Sequence, residues 1–203
     1  MSLTECLKGI IYFKLDNQKD IKILSSILIR RLLDIENTDN DKQLWRIFSL
    51  EMKNQIKINI LTAMISESER FIKNKLADAL SRIAENVYEN NEEWPEILAF
   101  INEVFGQKEK ADHNLAECVL TIFCEIFKHL SETQVKNLQI VTSAFTYYFN
   151  TLDLNLRTKS VNTIAVIIKF SKKKYSNYFL DFVLSILETT SLCLQDPKHE
   201  NNV

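Results

Sequence analysis

Hydrophobic positions in this chain fall at helical spacing almost wherever they cluster, most cleanly in the stretch 67–97, ESERFIKNKLADALSRIAENVYENNEEWPEI. Ile72, Leu76, Leu80, Ile83 and Val87 follow at intervals of three or four, a stripe that only a helix gathers on one face. The pattern predicts a helix over 69–88, an Asn/Glu-rich turn, and a second helix opened by Trp94-Pro95. Pro95 suits a first helical turn, where its missing N–H would have no partner anyway. Ser66 and Glu69 have the spacing of a capping box, which would close the N-terminus of the first helix.

The same unit recurs in both directions. Helices are predicted over 4–13 (Cys6, Ile10, Phe13 inward), 20–35 (Leu24, Leu28, Leu32, Ile35) and 50–66 (Ile56, Ile60, Ala63, Met64). Further on come 93–105, stopped by Gly106 as a left-handed C′ residue, and 111–130 with Leu115, Val119, Ile122, Ile126 and Leu130. Then follow 132–152 (Val135, Leu138, Val141, Thr142, Phe145, Phe149), 156–170 (Val161, Ile164, Ala165, Ile168) and 176–194. Paired as hairpins, these give repeats at 1–36, 41–90, 91–130, 131–173 and a partial 174–196. The mean spacing of about 40 residues matches HEAT and armadillo units rather than the 34 of TPR or 33 of ankyrin. One such hairpin alone leaves a flank bare, so neighbours must stack. The expected fold is all-α: a single α-solenoid of HEAT repeats, four to five helical hairpins in a right-handed superhelical array, cut from a longer one.

Composition narrows this further. Only 2 Gly and 2 Pro leave few of the turns that strands need, and a 46% hydrophobic share suffices for a core. With 25 basic and 27 acidic residues the net charge is -2, which disfavours direct nucleic-acid binding. The run Lys172-Lys173-Lys174 reads as a solvated turn. Cys6, Cys118, Cys124 and Cys193 show no C-x-x-C spacing, and Cys118 and Cys124, six apart, do not share a helix face. Neither zinc nor a disulfide framework is suggested. No apolar run reaches a membrane span, and the first residues lack a basic n-region and cleavage site, so an intracellular protein without membrane insertion is expected. His113 and His129, on one predicted helix, stand about 24 Å apart at 1.5 Å per residue and cannot share a metal or a proton. Gly9 and Gly106 alone build no phosphate loop. No catalytic, cofactor or metal site is therefore expected.

The segments LIRRLLDI (28–35), FSLEMKNQIKINIL (48–61), IKNKLADALSRIAENV (72–87) and EEWPEILAFI (92–101) resemble, in order and spacing, the N-terminal HEAT repeats of the importin-β (karyopherin-β) family. Within it they are most similar to the importin 5, or importin β3, type. LNLRTKSVNTIAVII (154–168) and SILETTSLCLQD (185–196) continue the resemblance more loosely. It implies a nuclear transport receptor moving between cytoplasm and nucleus through the nuclear pore, binding Ran-GTP and protein cargo with basic localisation signals. Phenylalanine-glycine nucleoporins would bind weakly, mostly through repeats outside this chain, with Phe100, Tyr147 and Tyr178 as exposed apolar candidates here. In this family the second (B) helix of each repeat lines the concave face. The implied B helices are 20–35, 69–88 and 111–130. Their polar faces carry the candidate Ran and cargo contacts Arg30, Arg31, Lys75, Asp78, Arg82, Glu85, Asn86, Glu117, Glu125 and Lys128. A HEAT scaffold without a transport role, such as a phosphatase regulatory or adaptor-complex subunit, has the same periodicity and stays open, because function lives in the surface.

Overall fold

The computed structural model describes residues 19–33, 45–110, 112–131 and 139–171. Among these the regular structure is entirely helical: α1 (Lys19–Leu32), α2 (Leu50–Ser66), α3 (Arg70–Glu89), α4 (Pro95–Gly106), α5 (His113–Ile126), a 3-10 turn (Phe127–His129), α6 (Gln139–Phe149) and α7 (Leu154–Ser171). The helices expected over 4–13 and 176–194, and the Lys172-Lys173-Lys174 run, lie outside the described residues.

Two layers result. In one, α1, α3, α5 and α7 stand side by side, each packed on the next. In the other, α2 covers α3, α4 covers α5 and packs beside α6, and α6 covers α7. Side-chain links between neighbouring units join residues 35 to 53 apart, most of them 39 to 47, as in Lys73–Asp112 and Arg70–Glu117, which fits units of about 40 residues. This is the architecture of a HEAT solenoid.

The core is continuous between the layers. On α3 the stripe Ile72, Leu76, Leu80, Ile83 and Val87 is buried throughout. Ile56, Ile60 and Met64 of α2 meet it, and Ala63 packs at the margin. Further along, Phe105, Phe123, Phe145 and Tyr148 gather around one another with ring centroids 5.9–6.3 Å apart, the offset and edge-on distances that aromatic quadrupoles favour. Trp94 is buried where α3 hands over to α4, and Pro95 opens α4 as expected. The same junction is held by Glu92, whose carboxylate accepts from Lys53 at 2.6 Å and from the Trp45 indole at 3.3 Å. Lys57, its ammonium pushed down by burial against the pull of Glu92, donates to the Glu93 carbonyl at 3.2 Å.

Several local expectations are corrected. Ser66 does not cap α3. It is the last residue of α2 and bonds back to the Ala63 carbonyl, while Glu67 Oε1 accepts from the Ser68 and Glu69 amides at 2.9 Å. Gly106 is not a left-handed C′ residue. It is the last residue of α4, with Gln107 following at φ -95°, and no described glycine has positive φ. On α1 the buried face is Ser25, Ser26, Ile29 and Leu33, while Leu24 is 53% exposed. A shift of one residue turns a helix face by about 100°, and the small serines let α1 approach α3 closely. On α7 Leu156, Ser160, Thr163, Ile164 and Ile167 are buried, whereas Val161 and Ala165 face outward. The expected helix 132–152 is described from Gln139, with Val141, Phe145 and Phe149 buried. Phe100 is buried and Tyr147 half-buried, so neither offers an exposed ring.

Candidate functional site

The α1–α3–α5–α7 row has one side against the outer layer and one side free of it, and the free side carries the polar residues singled out above. Their polarity follows from the helix period: with the apolar stripe turned inward, positions such as 71, 75, 78 and 82 of α3 come round to the opposite face.

At the α1–α3 seam, Arg30 and Arg31 are exposed in the last turn of α1. Asp78 Oδ2 lies 3.7 Å from both Arg30 Nη1 and Lys75 Nζ. The Lys75 ammonium also sits 5.6 Å from the centroid of the exposed Phe71 ring, within cation–π reach. These ion pairs are long and partly solvated, so they contribute little stability and are available to a partner.

The α3–α5 seam is different. Arg70 Nη2 bridges both Glu117 oxygens at 3.0 and 3.1 Å. Lys73, itself buried, reaches Asp112 at 3.0 Å. Glu85 is buried and held between Arg82, at 2.6 Å, and Lys128. Burial would push the Glu85 carboxyl up, but hydrogen bonds from Lys128 and Arg82 outweigh it and hold the group below the usual carboxylate range. Asp112, which caps α5 through the Asn114 amide, is likewise lowered: burial opposes ionisation, and Lys73 with the backbone N–H groups more than offsets it.

The ten candidates therefore separate into two groups. Asn86 is buried and donates from Nδ2 to the Leu33 carbonyl at 3.0 Å and the Arg82 carbonyl at 2.9 Å. It ties α3 to the end of α1, as Glu85 ties α3 to the turn after α5. Neither presents a solvated polar face, because the row is packed side to side and its seams bury what a lone helix would expose. Arg30, Arg31, Lys75, Asp78, Arg82, Glu117, Glu125 and Lys128 keep exposed or half-exposed side chains on the helix row. Glu125 has no ion pair among the described residues.

Between α3, α5 and the start of α7 lies an open polar groove of about 470 Å³, lined by Asn74, Asp78, Glu117, Thr121, Asn155 and Asn162 among others. Sequence reasoning placed Asp78 and Glu117 among the partner contacts, but did not place Asn74, Asn155 and Asn162 beside them. The register of the hairpins, once fixed by the Arg70–Glu117 and Lys73–Asp112 links, would have found them.

Among the described residues nothing here is poised for nucleophilic chemistry near neutral pH. Burial pushes the Cys118 thiol up to about 12, where it donates to Asn74 Oδ1 at 3.2 Å. Cys124 is also raised by burial, and the Tyr88 and Tyr148 hydroxyls are pushed up to about 12 by the same cause. No described helix is long and apolar enough to cross a membrane.

A two-layer array of stacked helical hairpins is an α-solenoid of the HEAT type. Comparisons bring it closer. Residues 68–203 match the family described as "IPO5-like, TPR repeats". The chain belongs to the IPO5-like family of the importin-β group. Its register here is that of HEAT units, although the family's description speaks of TPR repeats.

Among solved structures it is similar to the karyopherin Kap121p bound to the extreme C-terminus of the protein phosphatase Cdc14p, with a TM-score of 0.70 at 19% identity over 91% of this chain. It is similar also to Kap121p bound to Nup53p, with a TM-score of 0.68 at 18% identity over 95% of this chain. A third likeness is to Kap95 in its complex with Nup1, with a TM-score of 0.59 at 18% identity over 97% of this chain. This chain spans only 17% and 18% of the two Kap121p chains and 27% of the Kap95 chain. No curated protein matches in sequence.

Proposed function

We propose that the chain contributes N-terminal HEAT units to a nuclear transport receptor of the importin 5 type. Its repeats follow the hairpin divisions 1–36, 41–90, 91–130, 131–173 and a partial 174–196. The α1–α3–α5–α7 row is the concave face, and it takes the GTP-bound form of the small GTPase Ran in competition with protein cargo bearing basic localisation signals. The receptor moves between cytoplasm and nucleus, contacts phenylalanine-glycine nucleoporins mostly through repeats beyond this chain, and carries out no chemistry of its own.

The observation that carries this reading is the family match over residues 68–203, which spans α3, α5 and α7 of the row. The electrostatics of the row support it. Arg30 and Lys75 stand beside Asp78, and Arg70 beside Glu117, both signs within one surface, which suits a protein partner with its own mixed charge and gives specificity more than raw affinity. The loose 3.7 Å pairs at Asp78 exchange for contacts to a partner at low cost.

The test is direct. The chain, immobilised, should retain Ran locked in its GTP form and not Ran-GDP. Reversing charge with Arg30→Glu and Arg31→Glu should weaken that retention without altering the circular dichroism of the protein. Equal retention of both nucleotide forms would contradict the reading.

A further inference from the structure

We propose that Glu85, Glu89 and His129 form a binding site for a first-row divalent cation of the zinc type, clamping α3 to the turn that follows α5. One imidazole nitrogen and one oxygen from each carboxylate all lie within 4.8 Å of one another. Glu85 and Glu89 are one helical turn apart on the same face of α3. His129 comes from the 3-10 turn of the next hairpin, 40 positions beyond Glu89, so the trio exists only through packing.

The His129 ring is held in place by its neighbour Tyr88, on which it stacks with centroids 6.4 Å apart and planes 9° from parallel. Its Nε2 is buried and has no hydrogen-bond partner among the described residues. A buried polar atom without a partner is a cost that ligation removes.

An imidazole with two carboxylates is a nitrogen/oxygen donor set that zinc accepts, leaving one position for water. Ligand atoms around a tetrahedral zinc stand about 3.4 Å apart, so the trio must close by rather more than an ångström. The exposed Glu89 side chain is free to supply that movement. Both Glu85 oxygens are held by cations: Arg82 keeps Oε2 at 2.6 Å as an outer hydrogen bond, and Lys128, whose ammonium holds Oε1, is the built-in competitor. An entering cation takes over the carboxylate that Lys128 neutralises, and Lys128 turns out to solvent.

Titration of Zn²⁺ into the full chain, followed by isothermal calorimetry and by competition with a chromogenic chelator, tests the assignment. One ion should bind per chain. Glu89→Gln, at an exposed position, should weaken binding by about tenfold or more, as should His129→Gln, with circular dichroism unchanged in both. Lys128→Met should strengthen it. Absence of binding, or binding that survives Glu89→Gln and His129→Gln and is lost on replacing Cys118 and Cys124 by Ser, would overturn the proposal.

Discussion

Helices α3 and α7 stand in the same row, α3 between α1 and α5 and α7 against α5 among the described residues, and their burial is built from different materials. α3 buries Ile72, Leu76, Leu80, Ile83 and Val87, large apolar side chains at clean helical spacing. α7 buries Leu156 and Ile167 but also Ser160 and Thr163, and leaves Val161 45% exposed. The hydroxyls are satisfied locally: Ser160 donates to the Leu156 carbonyl at 2.8 Å and Thr163 to the Lys159 carbonyl at 2.9 Å. Ser81 of α3 does the same toward Ala77. A helix in such a row touches its own outer helix and both row neighbours. Each contact selects for size as much as for hydrophobicity, because small side chains let backbones approach.

The comparison is most severely tested at Leu80. Leu80→Ala should cost about 2–5 kcal/mol, read as a lowered denaturant midpoint, because the site is fully enclosed and collapses poorly. Next in size is Glu85. Removing its carboxylate in Glu85→Ala leaves Arg82 and Lys128 facing each other at the seam and should cost about 1–3 kcal/mol, less than a fully enclosed pair because both cations keep some solvent contact.

The same residue predicts a pH dependence. Glu85 and Asp112 are held below their ordinary values in the folded state, so their stabilisation is present above the unfolded pKa and lost as pH falls through the folded one. Thermal midpoints should therefore drop on acidification from neutrality toward the carboxylate range, and Glu85→Gln should flatten that slope. An unchanged slope would mean the seam does not depend on this charge.

Asn86→Ala comes next. It removes the donor to the buried Leu33 carbonyl and should cost about 1–2 kcal/mol, with loss of amide protection concentrated at the end of α1. The smallest effect belongs to α7: Val161→Ala should change stability by less than about 0.5 kcal/mol, although the residue sits at a predicted core position.

What could be read from the sequence divides along the same line. Helix α3 and its inward face were legible because large apolar residues at a period near 3.6 have one interpretation. The α2 bounds and the placement of Pro95 were legible for similarly local reasons. The faces of α1 and α7 were not, because a buried serine or threonine carries no hydrophobic signal and Leu24 or Val161 outside carries a false one. Exposed apolar residues on α2, such as Ile58 at 60% and Ile65 at 58%, blur its pattern in the same way. Among the candidate site residues, Arg30, Lys75 and Asp78 were found on the exposed side because polarity and helix phase suffice there. Glu85 and Asn86 were misplaced because their burial depends on the neighbouring helix, about 43 and 53 residues away in sequence. The same distance in sequence hid the groove, since Asn155 and Asn162 meet Asn74 only after the hairpins stack.

The central claim is a stacked array in which each unit is coupled to its neighbours, and hydrogen exchange on Leu80→Ala tests it most directly. In a solenoid the loss is confined to adjacent units. Faster amide exchange should appear across α2, α3 and α4 and fade through α5, while α7 keeps its wild-type protection. Uniform acceleration from α1 to α7 would contradict the account and describe a single cooperative bundle instead.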